Sequence, residues 1–346
     1  MRAVLFSALA VNFSGPQLLA LDVDTLMTGA VRRAKSVKTG RLVYRFEFGV
    51  VGPNALPPKR LSPKMFSFAG TDWIERDRES AATSIFLSGG FLRYEEISQP
   101  DGNVGRTAVI TRPGSLEDQD AINHRPLFAG TFWNARQVEY VERHCARFRS
   151  AKPSDVAGVR CEVCELDVLP EDVAAAFPIH SPALAAGGTL RVHIAPQLGF
   201  ALPLIEVESA TGIKVASYQS KDFLRFSDDT YFPRQIRREL RAPNGETEYG
   251  QFAIVPELIN QPIPESDFVV ELPAGTHVRD ERDATEVRRF ELASASTSTE
   301  LVGLAPGQRP SSMAEPSSKK VLAILGAVAI AIVCFLVAIR RLRARH

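Results

Sequence analysis

The chain has 346 residues, 45% of them apolar and 23% charged, with 41 Lys+Arg against 40 Asp+Glu. That composition excludes wholesale disorder and a collagen-like repeat, and four Cys in this length exclude a disulfide-dense miniprotein. Only Arg2 is basic in residues 1–20, and residues 294–346 hold seven basic and two acidic residues, which leaves 33 basic against 38 acidic for residues 21–293. A mildly acidic body without a basic block argues against a nucleic-acid partner.

The first twenty residues read as a signal peptide. Arg2 is a short positive start, Ala3–Val11 is a nine-residue apolar stretch, and Asn12, Ser14, Gly15 and Pro16 break it. Nine apolar residues are too few to span a bilayer. An uncleaved anchor or a buried N-terminal strand is the alternative.

Asp22 or Asp24 can cap a helix over about 24–37, because Leu26, Met27, Ala30, Val31 and Ala34 recur at helical spacing. Gly40 ends it. The period then switches to two, placing Leu42, Tyr44, Phe46 and Phe48 on one face of a strand. Met65, Phe66 and Phe68 begin the next strand. Gly89-Gly90 joins a strand over 83–88 to one over 91–98, and Asp101-Gly102 joins that to 104–111. A hairpin is expected between 137–148 and 158–168, and Pro170 opens a short helix. Thr211-Gly212 joins 203–209 to 213–226, and Asn244-Gly245 joins 231–242 to 247–255. The charge-rich run from Arg279 to Arg289 reads as a solvated terminal segment.

Residues 294–319 are rich in Ser, Thr, Pro and Gly and read as a flexible linker. Residues 321–339 are nineteen consecutive apolar residues. At about 1.5 Å per residue they reach roughly 28 Å as a helix, close to the ~30 Å hydrocarbon core. A transmembrane helix over 320–340 follows, and a tail over 341–346. Arg340, Arg341, Arg343 and Arg345 put that tail in the cytoplasm and the bulk of the chain outside, on the periplasmic side.

Direct hairpins without strand–helix alternation exclude a doubly wound fold and favour α+β architecture with one large antiparallel sheet. The strands carry most of the 20 Phe. A curved sheet with an aromatic concave face partly plugged by helices accommodates them, and so does an ordinary packed sandwich.

The stretch 189–280 carries a resemblance. It holds a strand over Leu190–Ala195, a turn at Gly199-Phe200, a long hairpin, and Tyr231-Phe232-Pro233-Arg234. It continues through Asn260-Gln261-Pro262-Ile263-Pro264 to Phe268 and the Leu272–Asp280 segment. With the leading helix and first strand, this order resembles the periplasmic lipoprotein-carrier (LolA-like) superfamily across roughly 22–285. The resemblance implies an incomplete β-barrel whose helices close the mouth of a hydrophobic cavity for acyl chains. A tethered chain departs from a carrier that diffuses between membranes.

No nucleophile elbow, zinc-protease helix motif, phosphate loop or dinucleotide fingerprint is present, so no enzyme and no cofactor is expected. Cys161 and Cys164 sit three apart in an expected strand, on opposite faces, near His144-Cys145. A hairpin centred on Pro153 sets Cys145 opposite Cys161. A Cys145–Cys161 disulfide, a Cys145–Cys164 disulfide, zinc held by His144, Cys145, Cys161 and Cys164, and free thiols are the open readings.

The function expected is a membrane-anchored binding protein for a lipid or lipoprotein acyl chain. Its cavity residues are Leu42, Tyr44, Phe46, Phe48, Phe66, Phe68, Ile85 and Leu87, with Leu26, Met27 and Val31 as the lid. The alternative is an envelope sensor with a filled core that acts through a protein partner. Cavity and core use the same residue types.

Overall fold

The computed structural model describes residues 21–304 except 53–55, 81, 88–89, 99–102, 113–134, 177–182, 227–229, 243 and 284. The expected signal peptide, the tether beyond 304, the 321–339 run and the basic tail lie outside the described residues. Among those described, no helix is long and apolar enough to cross a membrane.

The chain begins with α1 (Val23–Ser36) and β1 (Thr39–Val51). Asp22 Oδ1 accepts from the Thr25 backbone N–H at 2.7 Å and so caps α1. Then come β2 (Lys59–Arg60), β3 (Lys64–Ala69), β4 (Asp72–Asp77), β5 (Thr83–Leu87), β6 (Gly90–Ser98) and β7 (Val104–Thr111). Next are α2 (Ala135–Arg143), β8 (Arg149–Val156), β9 (Val159–Val168) and α3 (Pro170–Ala176). After these follow β10 (Gly188–Ala195), β11 (Ala201–Ser209), β12 (Lys214–Arg225), β13 (Tyr231–Arg241) and β14 (Thr247–Ile259). The last elements are β15 (Glu271–Leu272), β16 (His277–Asp280), β17 (Arg288–Glu291), β18 (Ser296–Thr297) and α4 (Ser298–Gly303). The strands form a large, mostly antiparallel sheet whose neighbour order does not close, which agrees with the α+β class.

The chain divides into two units. The first comprises the described parts of Met1–Ser36, Phe48–Lys59 and Pro126–Phe252, and its strand order is β14-β13-β12-β11-β10-β9-β8. Alternation gives this sheet one apolar and one polar face. Cys164, Leu166, Leu190, Val192, Ile205, Val207 and Tyr218 are in register across β9 to β12 and are buried. The buried stripe of α1, including Leu26, Met27 and Val31, packs against β9 and β11 of the same unit. The opposite face carries Glu165, Arg191, Glu206 and Glu208, linked by ion pairs. His193 is buried on that face, with Nδ1 2.7 Å from Ser154 Oγ and Nε2 3.3 Å from Glu206 Oε2.

Two expectations fail in this unit. Residues 135–143 form α2 instead of a strand. Val138 and Tyr140 alternate as a strand would, but Val138 and Val141 also stand three apart and both are buried, so the helical period prevails. The partner of β9 is therefore β8, and the hairpin turns at Ala157 and Gly158, whose φ values are +50° and +82°. Pro153 lies inside β8 at a register shift, where an edge strand tolerates a missing donor. Cys161 stands opposite Ser154, while Cys145 opens a 3₁₀ turn before the strand. The Cys145–Cys161 bridge does not form: Cys145, Cys161 and Cys164 are free thiols.

The second unit comprises the described parts of Val37–Glu47, Arg60–Arg125 and Ala253–His346, with strand order β17-β16-β7-β6-β5-β4-β3-β1-β14. Strand β4 was not expected from the sequence. The β16–β7 pair is parallel, and its neighbours are antiparallel. One face of this sheet is an aliphatic core. Ile74, Ile85, Leu92, Ala108, Ile110 and Val278 pack with Phe268, Val270, Leu272, Leu292, Leu301 and Val302.

The start of the expected linker is thus part of the fold. Strand β18 pairs with β15, and Thr297 and Glu300 close a capping box on α4. Burying Leu301 and Val302 stabilises each by about 1.5–3 kcal/mol relative to exposure, which outweighs the Ser/Thr-rich composition around them. The charged run is not solvated throughout either. It supplies β16 and β17, and Asp280 and Arg282 are both buried.

Candidate functional site

The face of the second unit opposite the aliphatic core carries the side chains of interest. Strand registers order it into rows. One row runs Gly40, Phe68, Trp73, Phe86 and Phe91 across β1, β3, β4, β5 and β6. The next, two residues along each strand, runs Leu42, Phe66, Glu75, Ser84, Arg93, Val109, Arg279 and Arg289.

The first row is a ladder of rings. Trp73 stands 6.3 Å from Phe86 at an interplanar angle of 6°, 5.8 Å from Phe91, and 5.9 Å from Phe66, which is 5.7 Å from Phe68. Ring centroids 4.5–7 Å apart are in the attractive range, each pair worth about 0.5–1.5 kcal/mol beyond area burial. Gly40 makes room for it: a Cβ there would come within 2.6 Å of the Phe68 ring. Trp73 Nε1 is buried with no hydrogen-bond partner among the described residues. An indole N–H left so costs about 1–3 kcal/mol, and a carbonyl or ester oxygen would satisfy it.

A polar margin borders the ladder. The Tyr44 hydroxyl donates to Glu75, which also pairs with Lys64. Burial pushes the Tyr44 phenol well above its usual range, and the Glu75 charge adds to this. Tyr44 stays neutral and acts as a fixed donor.

Leu42, Tyr44, Phe66 and Phe68 lie together on this aromatic face and are buried. Phe46 and Phe48 are half-buried. Ile85 and Leu87 point the other way. Ile85 stands opposite Leu92 and belongs to the aliphatic core, and Leu87 packs against it. The strand Thr83–Leu87 is apolar on both faces, so its alternation offered no choice between Ile85 and Phe86. Leu26, Met27 and Val31 belong to the first unit, under α1.

Trp73, Phe86 and Phe91 were not anticipated. The Gly89-Gly90 signal announced a hairpin between these strands but not its register: a loop of those two residues would set Phe86 opposite Arg93, whereas Leu87 stands opposite Gly90 and Phe86 opposite Phe91. Among the described residues no group of three His, Cys, Asp or Glu is placed to hold a metal ion.

No protein-family model matches the sequence, and no curated protein matches it. Solved structures do. The chain is similar to a LolA superfamily protein from Nitrosomonas europaea, with 12% identity over 72% of this chain and 98% of that one, at a TM-score of 0.36. An outer membrane lipoprotein-sorting protein domain from Vibrio parahaemolyticus matches with 10% identity over 71% of this chain and 97% of that one, at a TM-score of 0.36. The lipoprotein LppX from Mycobacterium tuberculosis matches with 7% identity over 70% of this chain and 97% of that one, at a TM-score of 0.29.

Proposed function

We propose that this protein is a membrane-anchored extracytoplasmic binding protein that holds a lipid or lipoprotein acyl chain, without enzymatic activity. The observation that carries the reading is the aromatic row with the orphan Trp73 Nε1. Rings offer an acyl chain non-directional burial, about 0.8 kcal/mol for each CH₂ removed from water. The indole offers a single donor for the ester or amide that joins chain to headgroup or protein. On this reading the sheet curls into an incomplete barrel whose concave face is closed by helices. Residues 1–20 direct export, residues 305–319 tether, 320–340 span the bilayer, and the basic tail stays in the cytoplasm. Nineteen uncharged apolar residues followed by four arginines support that topology.

The test is native mass spectrometry of the full chain, extracted from membranes with a non-ionic detergent. A stoichiometric adduct of lipid mass, removed by organic extraction and rebound from a labelled fatty acid, is expected. A single apo mass with no fatty-acid uptake would overturn the reading in favour of a packed interior and an envelope protein partner. Alkaline carbonate should leave the full chain in the membrane fraction and release a chain ending at residue 304.

A further inference from the structure

The aromatic face changes character toward the edge of the second unit's sheet. Strands β7, β16 and β17 line an open groove of about 610 Å³, and its side chains on this face are Thr107, Val109, His277, Arg279, Arg289 and Glu291. Arg279 stands directly opposite Arg289 in the antiparallel pair. Like charges in that position repel each other. Glu281 pairs with Arg279, but Arg289 takes part in no ion pair among the described residues. Arg93, in the same row, is tied to Glu95. The groove therefore holds two exposed guanidinium groups, Arg279 tied to Glu281 and Arg289 in no ion pair among the described residues, with the Glu291 carboxylate one row away; an incoming oxyanion would stabilise the close Arg279–Arg289 pair.

We infer that this groove binds the phosphate of a phospholipid headgroup, with the acyl chains running back toward Phe91, Phe86 and Trp73. The inference rests on the lipid-binding reading and adds the class and orientation of the ligand. Strand spacing of about 4.8 Å and a two-residue step of about 6.7 Å put Arg279 roughly 12 Å from Phe91, and Arg289 roughly 16 Å. A headgroup region about 5–8 Å deep separates phosphate from hydrocarbon in a bilayer. The first methylenes would then cross Val109 and Thr111 before meeting the rings, on a face whose registers are continuous. Glu291 lies one row from Arg289, about 7 Å along β17, and favours a headgroup with an ammonium beside its phosphate.

The test compares fluorescently labelled phosphatidylethanolamine, phosphatidylglycerol and a fatty acid of the same chain length, each titrated against the full chain in non-ionic detergent. The wild type is expected to prefer phosphatidylethanolamine. The R279Q/R289Q variant should lose at least tenfold in affinity for both phospholipids and keep its affinity for the fatty acid. E291Q should abolish the preference for ethanolamine over glycerol. These side chains are exposed, so the melting temperature should stay within a few degrees of wild type and will report any failure to fold. If R279Q/R289Q binds phosphatidylethanolamine as the wild type does while both take up fatty acid, the headgroup site is wrong and the acyl reading survives. If the wild type takes up none of the three, both readings fall. If glycerophosphoethanolamine, which has no acyl chains, binds as tightly as the lipid, the site serves a soluble phosphate ester and the lipid-headgroup inference is overturned.

Discussion

Arg282 Nη2 donates to Asp280 Oδ2 at 2.8 Å, and both side chains are more than nine-tenths buried. The same guanidinium donates through Nη1 to the carbonyls of Val302 at 2.9 Å and Leu304 at 2.6 Å. Burial alone would raise the Asp280 carboxyl, but the Arg282 hydrogen bonds and charge outweigh it and hold the group below its ordinary value. The pair thus closes the end of α4, the last described element. Arg282→Met leaves the buried Asp280 carboxylate without its guanidinium partner, keeping only the residue-282 backbone N–H and the Arg288 charge, and should cost about 3–5 kcal/mol in urea denaturation. Parity with wild type would show that the pair is not formed.

The folded boundary can be placed by truncation. A chain ending at residue 304 should keep slow amide exchange at Leu92 and Ile110. One ending at residue 293 removes Leu301 and Val302 from the core around those strands and should exchange faster there. Equal protection in both would return residues 294–304 to the linker.

Glu206 sets an acid limb. The His193 hydrogen bond is the largest cause and Lys214 assists, so that against burial the carboxyl titrates at about 2 instead of the ordinary 4.5. A carboxylate is acceptor-only, so His193 Nε2 carries the proton and Nδ1 can accept from Ser154. A depressed carboxyl contributes stability that is complete above about pH 4.5 and is lost as pH falls toward 2. Glu206→Gln should be less stable at pH 7, by no more than roughly 3 kcal/mol, and should converge on wild type near pH 2. A constant difference from pH 7 to pH 2 would contradict the linkage.

The cysteines should be inert until the chain unfolds. Burial pushes the Cys161 and Cys164 thiols up to about 12 and also raises Cys145. Alkylation of the native protein should leave Cys161 and Cys164 unmodified, and alkylation in denaturant without reductant should label both together with Cys145. Two of the three resisting label until reductant is added would mean that a disulfide exists after all.

Gly29→Ala tests the seat of α1. A Cβ there would lie 2.3 Å from Phe200 Cδ1, so the ring must move. Ala favours the helix by up to about 1 kcal/mol, while overpacking costs about 1–3 kcal/mol, so a net loss is expected in thermal melts. The loss should shrink in Gly29→Ala/Phe200→Ala relative to Phe200→Ala alone.

Local signals located most elements. Asp22 and the Leu26, Met27, Ala30, Val31 stripe mark α1 to within a residue, and Asn244-Gly245 marks the β13–β14 turn. Where one segment satisfied two periods, reading along the chain failed. Val138, Tyr140 and Val141 fit strand and helix alike, and the Ala157–Gly158 turn had a rival at Pro153. Both errors moved Cys145, and the disulfide went with it.

The candidate site was half legible for the same kind of reason. Alternation grouped Leu42, Tyr44, Phe66 and Phe68 because each strand repeats every two residues. It was silent on Thr83–Leu87, apolar on both sides, where only the register with β4 and β6 puts Phe86 with Trp73 and sends Ile85 to the aliphatic core. Composition and short-range periodicity are properties of neighbours along the chain, so they suffice for the class of fold, for most of the hairpin turns and for the apolar run near the C-terminus. Which face a residue serves, whether Arg282 is solvated or buried, and that Arg279 meets Arg289 depend on pairing between segments far apart in sequence. That pairing is settled by burial summed over the whole sheet, which is why only the tertiary structure decides it.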